Sequence, residues 1–418
     1  NPVIRGFHTE LETVYEEKNM SLTKDFRKAL EAMDATIFPD HPYGTQTVLG
    51  TQEHLKNPSI TNIKNYHKTY YVPNNMAICL SGDFDPDEMV TIIEKYFGQM
   101  QPNENLPQVD FKTTSKIESP VSKEVYGLEA ENIMIGWKYP GAGSDDALVA
   151  DAVDYILTNG SAGLIDLNLN QQQKVLGAQS MTYTRPDGGE FILIGNPKQG
   201  QTLDQVKELL LAEVAKLRNG EFDESLIEGT INNLKLRRMR ELENNSDRAD
   251  MYVNSFINGT DWADEVKWLD KMSAVTKQDI VDWANKYLSD NTYAVVYKRQ
   301  GEDKSQKKID KPQITPIATN RDSQSEFLKA IANSEVEPIA PQFTDFERDM
   351  DILTMDNGVE LLYKENQTNG RFELIYLYDF GTELFEFNFD EDMGAGRRAM
   401  VLNIPRGMMF TLRVGLSR

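Results

Sequence analysis

Between about residue 110 and residue 299, short apolar runs alternate with helical stretches of ten residues or more. That alternation restricts the chain to layered folds in which helices cover sheets. The runs ENIMIGWKY, VLGAQSMTYT, GEFILIGN and TYAVVYK read as strands, with helices expected from Asp145 through Gln173, from Thr202 to Asn244 and from Lys277. The expected class is α+β, with mostly antiparallel sheets covered by helices. Gly188 and Gly189 fit a tight strand connection that wants positive φ. Gly160-Ser161-Ala162-Gly163 lacks the G-x-x-x-x-G-K-S/T pattern of a phosphate loop, so no nucleotide site is expected there.

Upstream, the order is a loop FPDHPYGTQTVLGTQEHL (Phe38 to Leu55), a helix through Tyr70, a turn at Val72-Pro73-Asn74-Asn75, an apolar strand MAICLSGDF and a helix DPDEMVTIIEKYFGQM. Asp85 and Pro86 supply the last helix with an N-cap and a first-turn proline. MAICLSGDF and TYAVVYK are alike as closing strands, which suggests an internal duplication. Ahead of these, TELETVYEEKNMSL (Thr9 to Leu22) reads as a helix with Glu10 and Glu17 seven residues apart. Seven residues at about 3.6 per turn return to nearly one face, so both carboxylates can point into one site. Acidic residues also crowd solvated helix faces, and Glu12 and Glu16 lie among them, so the residue types alone leave that reading open.

The succession as a whole resembles the pitrilysin and insulinase family of zinc metallopeptidases, which includes the mitochondrial processing peptidases. The motifs that carry the resemblance are Glu10 to Glu17, His41-Pro42-Tyr43-Gly44, Gly50, Tyr71 to Asn75 and Gly82-Asp83. The resemblance implies tandem metallopeptidase-like sandwich modules, with Glu17 as a metal ligand and Glu10 as a supporting carboxylate. Glu16 is the one-residue alternative. It also implies an H-x-x-E-H segment, whose histidines bind zinc and whose glutamate activates water. None of His8, His41, His54 and His67 makes such a pair. The chain is therefore expected to be a fragment of a zinc endopeptidase, truncated at its N-terminus, with zinc bound in the intact member and neither metal nor activity in this chain alone. The implied substrate is a peptide or unfolded protein taken into a closed chamber, and a partner half or second copy is a possible associate. A non-catalytic family subunit, acting as a peptide-binding or assembly scaffold, is the alternative.

Family layout gives the expected division: residues 1–108 as the back half of the zinc-binding module, 109–300 as a second, non-catalytic module, 301–343 as a linker and 344–418 as the start of a third. The linker is low in apolar content and contains EVEPIAPQF; beyond it DILTMDNGVELLYKEN reads as a hairpin and RFELIYLYDFG as a third strand. The tail from Thr382, with Arg397, Arg398, Arg406, Arg413 and Arg418, departs from the family and is assigned no site. A net charge of −22 argues against nucleic acid as partner. Lys235, Arg237, Arg238 and Arg240 lie beside Glu241 and Glu243 and read as a salt-bridged face. No apolar run approaches the ~18 residues of a membrane span. Cys79, the single cysteine, is expected to pack in the MAICLSGDF strand and leaves the compartment undetermined.

Overall fold

The computed structural model describes residues 2–56, 58–107, 111, 115–304, 324–376 and 410–412. The chain divides into two compact units, 1–326 and 327–418. The fold is α+β, as expected.

A five-stranded sheet forms the centre of the first unit: β1 (Val121–Gly127), β2 (Asn132–Tyr139), β3 (Gly177–Arg185), β4 (Gly188–Asn196) and β5 (Ala294–Gln300). The strand order is β1-β5-β2-β4-β3, parallel between β1 and β5 and antiparallel elsewhere. Strand alternation separates two apolar faces. Ile133, Ile135, Trp137, Phe191, Leu193, Val295 and Tyr297 belong to the larger core, with residues of three helices, Asp145–Leu157, Leu203–Arg218 and Lys277–Tyr287. Met134, Ile192, Ile194, Ala294 and Val296 belong to a smaller core closed by Ala29, Met33, Ile37 and Phe38. Ala29, Met33 and Ile37 recur every four residues along the helix Asp25–Ile37, which crosses β2 so closely that a Cβ on Gly136 would lie 2.6 Å from the Met33 sulfur. Burying a side chain of the size of Met33 or Ile37 contributes roughly 1.5–3 kcal/mol.

Helix ends follow local chemistry. Thr202 and Gln205 form a capping box, as do Thr276 and Asp279, and Asp85 accepts from the Asp87 and Glu88 amides. The Gly160–Gly163 loop has its donors engaged: the N–H groups of Asn159, Gly160 and Gly163 point at the Asp166 carboxylate, at 2.8, 2.9 and 3.2 Å. Of the basic cluster, Arg237 and Arg238 pair with Glu241, and Arg238 also with Glu265, whereas the buried Arg240 Nε has no partner among the described residues.

Four expectations are corrected. MAICLSGDF forms no strand, and Met76, Ile78 and Leu80 are exposed. An apolar run becomes a strand only where another strand takes its backbone groups, and none of the described strands pairs with it. The proposed similarity between the two closing strands loses its first member accordingly, and Cys79 is half-buried rather than packed in a sheet. Gly188 and Gly189 do not have positive φ. They open β4 after a Pro186-Asp187 turn, and a Cβ on Gly189 would lie 2.2 Å from the Tyr139 ring; these positions need room rather than a left-handed backbone. Finally, β1 and the helices Asn245–Asn258, Trp262–Val266 and Trp268–Ser273 are additions that the sequence reading did not separate.

In the second unit, Asp351–Thr354 and Glu360–Tyr363 make the expected hairpin, with Gly358 at φ 81° in its turn. The expected third strand is present as Leu374–Tyr376, paired with Phe410–Leu412. Its continuation, the five tail arginines, residues 305–323 of the expected linker and the expected boundary at 108/109 lie outside the described residues; the described part of the linker carries a short helix, Glu326–Ala332.

Candidate functional site

Glu10 and Glu17 stand on one unbroken helix, α1 (Pro2–Leu22). Tyr15 and Lys18 are buried, and Leu11, Val14 and Leu22 are half-buried, which defines an inward stripe. At about 100° per residue Glu10 and Glu17 fall about 20° apart, on one border of that stripe, whereas Glu16 points away from it. Both carboxylates are exposed, and among the described residues neither has a hydrogen-bond or ion-pair partner, whereas Glu12 has one.

His41, His54 and His67 are used locally. His41 is 1% exposed, and its Nδ1 accepts the Tyr43 amide 3.1 Å away, capping a short helical turn, Pro42–Thr45. His54 Nδ1 accepts the Thr51 amide, and the His67 ring stacks on Tyr71 with centroids 4.7 Å apart. Among the described residues no three His, Cys, Asp or Glu side chains stand close enough together to hold a metal ion. The described residues therefore do not by themselves fit a zinc ion.

After Thr23 and Lys24, α1 is followed by α2 (Asp25–Ile37), which is tied to the sheet at both ends. At its start Asp25 meets the wholly buried Lys298 of β5 at 2.6 Å and accepts the Glu129 amide at 2.8 Å. Burial pushes the Asp25 carboxyl up, but the Lys298 bond, the Glu129 amide and the Lys28 charge outweigh it and leave it below the usual range. At its far end Asp34 faces Arg185 of β3, which also pairs with Glu190 of β4, at 2.8 and 2.9 Å. The Arg185 guanidinium lies over the rings of Tyr43, Tyr183 and Phe38, at 4.0, 4.7 and 5.0 Å. The Tyr43 hydroxyl bonds Asp187, whose carboxylate stands 3.4 Å from His41 Nε2. Sequence reasoning missed Asp34, Arg185 and Glu190; the one available signal was a pair of charges, Arg185 and Glu190, inside otherwise uncharged strands. A separate groove of about 440 Å³ lies beside the helices Asp145–Leu157 and Asn245–Asn258; Asp151 lines it, and burial pushes the Asp151 carboxyl up to about 6.

Residues 59–234 match the family described as "Peptidase M16 inactive domain". The chain is 23% identical over 281 residues to the zinc protease PqqE of Helicobacter pylori, covering 63% of this chain and 60% of that protein. It is 27% identical over 108 residues to the insulin-degrading enzyme of Bos taurus, covering 24% of this chain and 10% of that protein. The chain thus spans less than two thirds of the length of these relatives. A solved protease from Helicobacter pylori superposes with a TM-score of 0.65 at 21% identity, over 70% of this chain and 72% of that one, a likeness of fold. The ordered motifs, the layered α+β unit and these relatives together make the chain similar to the pitrilysin/insulinase-like family of zinc metallopeptidases.

Proposed function

We propose that the chain is part of a zinc-dependent endopeptidase that hydrolyses peptides or unfolded protein in a closed chamber, and that α1 contributes Glu17 as a metal ligand and Glu10 as a carboxylate orienting a neighbouring ligand. The observation that carries this reading is the shared position of Glu10 and Glu17. They are exposed, unpartnered among the described residues and aligned on one border of the stripe that α1 buries. A carboxylate serving only to solvate a helix has no need of that alignment. The remaining ligands and the general base come from outside the described residues, on a preceding segment or a partner half. In the same reading, residues 1–108 complete a zinc-binding module, 109–300 are the non-catalytic module, 301–343 the linker and 344–418 the opening of a third.

Zinc content of the full-length protein tests it. Glu17→Gln is expected to lower bound zinc at least tenfold while Glu16→Gln leaves it unchanged; unchanged zinc in the Glu17 variant overturns the assignment. Mixing this chain with one bearing H-x-x-E-H is expected to produce peptide hydrolysis that neither shows alone.

The match of residues 59–234 to an inactive domain favours a second reading, a non-catalytic subunit that binds peptides or assembles with a catalytic one. Peptide binding without cleavage by the full-length protein would select it.

A further inference from the structure

Glu190 is 0% exposed, and one guanidinium, that of Arg185, stands 2.9 Å from its carboxylate and 2.8 Å from that of Asp34. Two ionised carboxylates held on one cation repel each other, and neither has a hydrogen to donate. Among the described residues, Glu190 Oε2 and Asp34 Oδ1 find no donor with hydrogen-bond geometry, Oδ1 lying 2.8 Å from Arg185 Nη1 but off its N–H direction. Arg185 supplies one positive charge between two acids. With both ionised the pocket keeps an uncompensated negative charge, and with one proton it is neutral.

We infer that Asp34 and Glu190 share one proton beside Arg185, and that this proton is a pH-sensitive latch seating α2 and the His41–Tyr43 loop on the sheet. The surrounding charges do not replace it. On β2, Lys138 lies over the Phe38 ring and is drawn toward Asp40, and the Tyr139 hydroxyl is engaged by Thr184. On β3, Tyr183 stacks on Arg185. In the loop and the β3–β4 turn, His41 and Tyr43 are engaged with Asp187. On α2, Arg27 pairs with Glu31, and Lys28 with Asp25 and Asp303. Asp151 and Asp154, from Asp145–Leu157, add only negative charge near Tyr139. Burial, then the Asp34 charge, push the Glu190 carboxyl well above the usual range against the pull of Arg185. Because the folded state holds this proton more tightly than the unfolded one, its stabilisation is full below the ordinary glutamate range and is lost as pH rises through the raised value. Above it, α2 and residues 38–45 loosen.

Amide hydrogen exchange across pH, corrected for intrinsic rates, tests the latch on this chain. Protection of residues 26–45 in the wild type is expected to fall about tenfold per unit of pH over the transition relative to Glu190→Gln, which keeps the neutral shape. Identical pH slopes in the two overturn the proposal. Infrared difference spectra at neutral pH give the second measurement. The wild type is expected to show a protonated-carboxyl band that Glu190→Gln lacks, and loss of an ionised-carboxylate band instead overturns it. Should Glu190→Gln fail to fold, Asp34→Asn carries the infrared test. An ionised Glu190 then pairs with Arg185 alone and the protonated band disappears, and its persistence overturns the shared proton.

Discussion

The helices Asp25–Ile37 and Pro86–Phe97 have similar length and opposite fates. The second has the better local signals, a proline in its first turn and an Asp85 cap holding two amides, while the first has no side-chain cap. Yet Asp25–Ile37 buries Ala29, Met33 and Ile37, whereas Val90, Ile92, Tyr96 and Phe97 of the other helix are exposed. Capping decides where a helix starts, and a facing surface decides whether its apolar stripe contributes to stability. Met33 has the Met134 and Ile192 face of the sheet opposite it. The stripe of Pro86–Phe97 and the apolar run before it have no such surface among the described residues.

The comparison is broken most severely at Lys298. Replacing it with Ala leaves the buried Asp25 with only the more distant Lys28, 3.8 Å away, and is expected to cost about 3–5 kcal/mol by denaturant unfolding. A loss below about 1 kcal/mol would mean that α2 is not fastened at its start. Gly189→Ala should cost about 1–3 kcal/mol or more, because the added methyl group meets the Tyr139 ring. A neutral result would show that the ring yields. Ile92→Ala is the smallest change and sharpens the comparison: at 48% exposure it is expected to fall within about 0.5 kcal/mol of the parent in this chain. If it costs as much as a core truncation, about 2–5 kcal/mol, the stripe is covered after all.

Much of the fold was legible because its signals are local. Apolar runs marked β2, β3, β4 and β5, Thr202 and Asp85 marked helix starts, and Asp356-Asn357-Gly358 marked the hairpin turn. The glutamate helix was legible through spacing alone. β1 was not, since VSKEVYG carries two charges and takes its order from pairing with β5. MAICLSGDF was misread because its composition is that of a strand while strand formation belongs to a pair.

The sequence by itself determined the α+β class, the resemblance to the zinc metallopeptidase family and the alignment of Glu10 with Glu17, since each depends on residue type at short, fixed spacing. The tertiary structure alone decided that Asp34, Arg185 and Glu190 meet, that Lys298 is buried against Asp25, and that Gly188 and Gly189 serve packing rather than a turn. Those contacts join segments distant along the chain, and the energies that govern them, desolvation and close packing, exist only once the sheet and α2 have come together.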